Sequence, residues 1–332
     1  MTVARTRPAA TLSLDLDNEW SYLKTHGDAS WVELPSYLDR AVDHGLALCS
    51  ALDVRITWFV VGQDAAIDAH RESLARLVAA GHEVGNHSYH HEPWIHAADR
   101  SAVAVELDRA EDAIELATGI RPDAFRGPGY AMSPVLLHEL ARRGYRYDAS
   151  SLPTIIGPLA RAYYFRRTRL DTHQRAERAA LFGSWRDARR PLRPYRWKTA
   201  PRALLELPVT VVPGARVPFH VSYVLYLAAR SQRLARAYFV TALGLCKAAH
   251  VAPSILLHPL DLLGGDEVQS LAFFPAMGMR GADKRDFVET ILAAFVAEFD
   301  VGPLREFAAT FDAVDLPLRD PGVRVAHDSN PS

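Results

Sequence analysis

Thr11-Leu-Ser-Leu-Asp-Leu-Asp17 is an apolar run with two carboxylates at its end, and it sets the reading of the whole chain. Alternate residues of a strand share a face, so Asp15 and Asp17 point the same way. Two acids side by side in apolar surroundings are costly without a cation between them. The second informative stretch is His87-Ser-Tyr-His-His91. His87 and His91 are four apart, so one helical turn would put both imidazoles on one side. Asp17 would complete an Asp-His-His set that leaves coordination positions open for water and substrate, with Asp15 left over as a base. His90, between them, is expected to point away. Such a histidine pair by itself more often packs or sits at a surface; the pattern of the remaining strands gives it weight.

The chain has 332 residues, 49% hydrophobic and 23% charged, enough for a large core in two ordinary domains or one α/β barrel with insertions. A net charge of -1 argues against a general affinity for nucleic acid. It hides an asymmetry: residues 161–202 carry thirteen Arg or Lys against three acids, net +10, leaving -11 elsewhere. Cys49 and Cys246 lie far apart in apolar surroundings and are expected to pack in the core. The stretch Met1–Pro8 has no apolar leader core, and no run reaches the ~18–20 apolar residues of a membrane span. The expectation is cytoplasmic residence.

Seven β-rich runs follow one another: Thr11–Leu16, Arg55–Val61, Glu83–Asn86, Ala124–Arg126, Tyr145–Ala149, Leu204–Val212 and Ser254–His258. Helix-like segments lie between them at about 36–52, 65–80, 98–118, 133–143 and 222–250, with another after 283. Alternating units of this kind predict a mostly parallel sheet, open or closed. Asp15, Asp17, His87, Arg126, Asp148 and His258 fall at the C-terminal ends of their runs, where parallel α/β folds gather active-site residues. Glu206, near the start of the sixth run, is the exception.

In order and spacing, Ser13-Leu-Asp-Leu-Asp17, His87-Ser-Tyr-His-His91, Phe125-Arg-Gly-Pro-Gly-Tyr130, Gly144-Tyr-Arg-Tyr-Asp148 and Ile255-Leu-Leu-His-Pro-Leu-Asp261 resemble the motifs of the polysaccharide deacetylases, the NodB-homology or carbohydrate esterase family 4 group. The acid-x-acid first motif and Glu206-Leu-Pro208 look closest to one subgroup. The resemblance implies a distorted (β/α)7 barrel, here one domain over residues 8–320 with a basic insertion or lid at 159–202 and a disordered tail at 321–332. It departs from the familiar pattern at Leu16, between the two aspartates, and at Gly129, where a tyrosine is usual. No Asp-x-x-Asp-Trp run is present.

The implied reaction is metal-dependent hydrolysis of an N-acetyl group on an amino sugar. Asp17, His87 and His91 would hold one divalent ion, zinc by default, with cobalt, nickel, manganese or iron fitting the same donors. Asp15 would be the base, Arg126 the residue that orients it, the Gly129 N–H an oxyanion donor, and His258 the acid for the departing nitrogen. Asp148 would tune a catalytic group or anchor the turn at Ser150-Ser151. Arginines interleaved with aromatics in 159–202 suggest a lid over a nucleotide- or polyprenyl-phosphate-linked intermediate, or peripheral contact with the inner face of the membrane, more readily than nucleic-acid binding. Alternatives are a formamide or cyclic-ureide hydrolase on the same barrel, and a catalytically dead barrel that binds a glycan or partner.

Overall fold

The computed structural model describes residues 7–157 and 187–322. Among these described residues are ten strands interspersed with helices. The strands are β1 (Ala9–Leu16), β2 (Thr57–Val60), β3 (Glu83–Asn86), β4 (Ala124–Phe125), β5 (Tyr147–Asp148), β6 (Tyr195–Trp197), β7 (Leu204–Glu206), β8 (Ser254–Leu257), β9 (Asp300–Gly302) and β10 (Leu318–Arg319). The helices are α1 (Glu19–His26), α2 (Leu38–Leu52), α3 (Gly62–Ala65), α4 (Arg71–Ala79), α5 (Arg100–Thr118), α6 (Pro134–Arg143), α7 (Val221–Ala228), α8 (Gln232–Ala248), α9 (Gly281–Glu298) and α10 (Leu304–Ala309).

All seven expected strands form, in the parallel order β7-β5-β4-β3-β2-β1-β8. No ladder joins the two edges, but they meet beyond β7. There the Thr210 N–H donates to the Ser254 carbonyl (3.1 Å) and the Ser254 N–H to Thr210 Oγ1 (2.8 Å). The result is a seven-stranded α/β barrel with incomplete closure. β6, β9 and β10 are additions of two or three residues, too short to show periodicity.

Two faces of β1 explain the packing. Leu12, Leu14 and Leu16 point outward into the main core, against the helices. Ser13 and Asp15 point inward, and Arg126 reaches both. Cys49 and Cys246 are buried and unpaired in the outer core, as expected. Among the described residues no helix is long and apolar enough to cross a membrane.

Local departures have local causes. The expected helix over 222–250 breaks at Ser231, whose side chain caps α8 by accepting from the Leu234 N–H. Of the segment 65–80, a 3-10 turn takes Asp68–His70 and α4 only Arg71–Ala79, while the short α3 ends at Ala65. Helix α1 was not anticipated, although Asn18 and Gly27 mark its ends: Asn18 accepts from the Glu19 N–H and Gly27 takes φ 89°. β7 ends at Glu206, so that residue closes its strand and is no exception to the C-terminal rule.

Residues 158–186, most of the expected lid, lie outside the described residues, as does 323–332 of the expected tail. The described end of the insertion, from residue 187 on, packs against the barrel. Tyr195 and Trp197 are buried in β6, which pairs antiparallel with β7. Arg193, Arg196 and Arg202 donate to the carbonyls of Ala249, Phe311 and Tyr145 at 2.8, 2.8 and 2.6 Å.

The base of the barrel is plugged by α10. Leu304 and Ala308 pack on Phe59, Tyr147 and Leu205. Glu83, 4% exposed, ties the plug down: it accepts from Thr57 Oγ1 (2.6 Å), Tyr147 OH (2.9 Å) and the Arg305 N–H (2.9 Å). Glu83→Ala orphans three buried donors and should cost about 3 kcal/mol in chemical denaturation. A loss under about 1 kcal/mol would mean the plug is held by apolar packing alone.

Candidate active site

The C-terminal ends of β1, β3, β4, β5, β7 and β8 converge on one side of the barrel. Asp17 follows β1, and its Oδ1 lies 3.2 Å from His87 Nε2 and 3.0 Å from His91 Nε2. The ligand atoms of Asp17, His87 and His91 all lie within 4.8 Å of one another, and all three residues are buried. Asp17 Oδ1 and both nitrogens of His91 have no hydrogen-bond partner, despite these short separations. The donor atoms therefore face a common point, not each other, as ligands of a shared cation do. One carboxylate and two imidazoles suit zinc and its first-row neighbours.

His87 is oriented for this. Its Nδ1–H donates to the Arg126 carbonyl at 2.7 Å, which leaves the Nε2 lone pair directed at Asp17 and His91. Burial opposes a charge on His87, but Asp15 and Asp17 outweigh it and shift its pKa upward. Burial likewise opposes charge on Asp17, and His91 and His87 overcome it, holding the carboxyl well below its usual range. Surroundings that favour a proton here favour a metal cation in its place.

The histidines do not reach these positions on a helical turn, contrary to expectation. The segment after β3 is a loop in which Ser88 and His91 take φ 63° and 51°. Asn86 Oδ1 accepts from the Ser88 N–H (2.7 Å), and Ser88 Oγ from the His91 N–H (3.1 Å). These side chains bend the loop so that His91 folds back over His87, with ring centroids 5.1 Å apart. His90 points away, as expected, with Nδ1 2.6 Å from Glu106 Oε2.

Asp15 Oδ1 accepts from Arg126 Nη1 at 2.7 Å, and its Oδ2 lies 4.0 Å from His87 Nε2. Arg126 is fully buried: Nη1 also donates to Ser13 Oγ (2.8 Å), Nε donates to the Ala149 carbonyl (2.9 Å), and the guanidinium lies over the Phe59 ring. Gly129 follows in a turn over Pro128–Tyr130 with φ 57°. Gly127 admits no side chain, because a Cβ there would meet the Ala131 carbonyl oxygen at 2.0 Å.

Asp148 takes the anchoring role of the two expected for it. It is buried, with Oδ1 accepting from Ser150 Oγ (2.5 Å), and Ser150 Oγ in turn accepts from the Gly127 N–H (2.8 Å). Its neighbour in the parallel register is Glu206, which accepts from the Ser151 N–H (2.9 Å) and from Trp197 Nε1–H (2.7 Å). Two buried carboxyls in contact cannot both ionise. Burial raises both, Asp148 to about 6 and Glu206 well above its usual range, where the charge of Asp148 adds to the effect.

His258, at the end of β8, belongs to a network that the sequence did not reveal. Asp261 Oδ2 accepts from the His258 N–H (2.8 Å) and from Ser222 Oγ–H (3.0 Å). Ser222 Oγ lies 3.0 Å from His258 Nδ1. The His258 and Asp261 side chains also form a capping box, each meeting the other's backbone N–H. The His258-Pro-Leu-Asp261 spacing carried a capping signal; nothing local pointed to Ser222, thirty-six residues away.

Comparison with known proteins gives the following. The family model for polysaccharide deacetylase matches residues 32–147, a span that includes His87, His91 and Arg126. The chain is 33% identical over 160 residues to a peptidoglycan deacetylase of Helicobacter pylori, covering 46% of this chain and 51% of that protein. It is 29% identical over 110 residues to a peptidoglycan deacetylase-like protein of Gibberella zeae, covering 33% and 30%. The chain thus spans about half the length of these curated relatives, or less. A Mycobacterium smegmatis crystal structure with a provisional polysaccharide-deacetylase name superposes with TM-score 0.63 at 19% identity, over 96% of this chain and 95% of that one; this likeness is one of fold.

The acid pair makes a testable statement about pH. Both folded pKa values lie above the unfolded ones, so the pair's contribution is complete at low pH and declines as pH rises through about 6. Asp148→Asn keeps the acceptor for Ser150 and places an amide donor toward Glu206. Melting temperatures from about pH 5 to about pH 8 should decline less in this variant than in the wild type. An identical slope would show that the pair does not titrate in this range.

Proposed function

We propose that the chain, whose residues 32–147 match the polysaccharide deacetylase family model, is a member of that superfamily and a metal-dependent hydrolase removing an N-acetyl group from an amino-sugar substrate. The observation that carries this reading is the convergence of Asp17, His87 and His91 beside the buried Asp15–Arg126 pair. Asp17, His87 and His91 would hold a divalent ion, zinc by donor set, which would supply Lewis acidity to the acyl carbonyl and to water.

The remaining steps fall to side chains. Asp15, fixed through Oδ1 by Arg126, uses Oδ2 to take the proton of the attacking water. The N–H of Gly129 offers a donor to the developing oxyanion from a turn whose base is tied by Ser150 to Asp148. His258, held on its Nδ1 side by Ser222 and Asp261, delivers a proton to the departing amine from Nε2 when that nitrogen carries one, and is left as the neutral imidazole. The names of the curated relatives support a glycan of amino sugars as the substrate class. A phosphate-linked carrier on that sugar is a narrower form of the proposal, supported by the basic composition of 161–202.

Purified protein should contain about one equivalent of a transition metal, and His87→Ala and His91→Ala should each lose it with the fold intact. Retention in both variants would remove the metal centre from the proposal. Acetate release from N-acetylated oligosaccharides and from carrier-linked amino sugars should fall about 10²–10⁴-fold in Asp15→Asn, with metal content unchanged. Formate release, or none from any amide in the panel, would redirect the substrate assignment.

A further inference from the structure

One imidazole at the site has no assigned work. His220 immediately precedes α7 and is 3% exposed. Its Nδ1 is buried with no hydrogen-bond partner. Three rings surround it: Tyr223 edge-on at 4.7 Å between centroids, His258 at 6.2 Å and Tyr130 at 6.3 Å. Burial first, then the charges of His258 and Arg126, push its pKa well below the ordinary histidine value. The ring is therefore neutral near pH 7 and offers one N–H and one lone pair.

Its placement gives the ring a use. His220 feels both Arg126 and His258, and the half-buried Tyr130 beside it lies within electrostatic reach of Asp15 and Asp17. The cluster therefore lies against His258, the group proposed to give a proton, and within electrostatic reach of Asp15, the group proposed to take one. The scissile amide must lie between those two groups. A phenylalanine would fill the same space without an unpaired buried nitrogen, which costs free energy until a partner arrives. The partner that fits is a polar group carried in by the substrate.

We propose that His220 is a substrate-contacting residue that hydrogen-bonds a hydroxyl next to the scissile N-acyl group, with Tyr130 and Tyr223 as the walls of its subsite. The ligand class is an amide with a vicinal hydroxyl, as in a 2-acylamino sugar. This rests on the proposed function and adds a specificity determinant to it. An amide lacking the hydroxyl leaves the imidazole unpaired and is discriminated against.

The test reads His220 directly. Zinc-loaded full-length protein with ring-15N-labelled histidine is titrated with tri-N-acetylchitotriose, the His220 signal being the one missing from His220→Phe. The expected result is a saturable shift of that signal. His220→Phe, with unchanged zinc content and circular dichroism, should weaken binding of the trimer at least tenfold and raise KM for acetate release more than it lowers kcat. His220→Asn should recover part of the loss. A His220 signal that does not move, whether or not other histidines respond, overturns the inference, as does binding by His220→Phe within twofold of wild type. Acetate release by the wild type with a silent His220 overturns this inference alone. A shifting His220 without any acetate release overturns the proposed reaction and leaves the subsite standing.

Discussion

The Arg126–Asp15 ion pair is the constraint on which the site depends. A guanidinium with no exposure to solvent must be matched by an anion and by acceptors, and Arg126 takes these from β1 and from Ala149 just beyond β5. Removing either partner would strand a charge in the barrel, typically at a cost of about 3–5 kcal/mol. The same residue lends its carbonyl to His87 Nδ1, so Asp15 and His87 are both positioned by one buried side chain and its backbone. Holding Asp15 to Arg126 and turning His87 toward Asp17 are two consequences of one placement.

That placement needs an interior able to hold polar groups, and the barrel provides it in layers. At the base, Glu83, Thr57 and Tyr147 satisfy one another and the start of α10. Above them Phe59 and Leu205 form an apolar layer, and Phe59 presents its ring to the guanidinium. The ionisable groups lie above that ring. Among the described residues, the buried polar atoms here without a hydrogen-bond partner include Asp17 Oδ1 and both His91 nitrogens, together with Arg126 Nη2, Asp148 Oδ2 and His220 Nδ1. The buried acid pair of Asp148 and Glu206 supports the Pro128–Tyr130 turn from behind, through Ser150 and the Gly127 N–H.

Much of this was legible residue by residue. The period-two pattern of Ser13, Asp15 and Asp17 against Leu12, Leu14 and Leu16 announced an inward polar face and an outward apolar one, because alternation in a strand is a purely local property. The seven strands, the C-terminal placement of Asp15, His87, Arg126 and His258, and the turning-away of His90 followed from the same kind of reading. The four-residue spacing of His87 and His91 gave the right pair by the wrong geometry. A spacing is silent about Asn86 and Ser88, whose side chains replace helical hydrogen bonds with loop ones. Tyr195 and Trp197 resembled lid aromatics because their burial is conferred by β7 and Glu206, which lie several residues away.

The sequence by itself therefore determined which residue types stand at which strand ends, and through them the fold class and the candidate ligands. Only the tertiary structure decided their partners: Ser222 and Asp261 behind His258, Glu206 against Asp148, and His220 between Tyr130 and His258. The physical reason is range. Strand alternation and helix capping act over a few residues of chain, whereas desolvation, ion pairing and carboxyl–carboxyl repulsion depend on what the barrel's curvature brings within about 4–6 Å, at any separation in sequence.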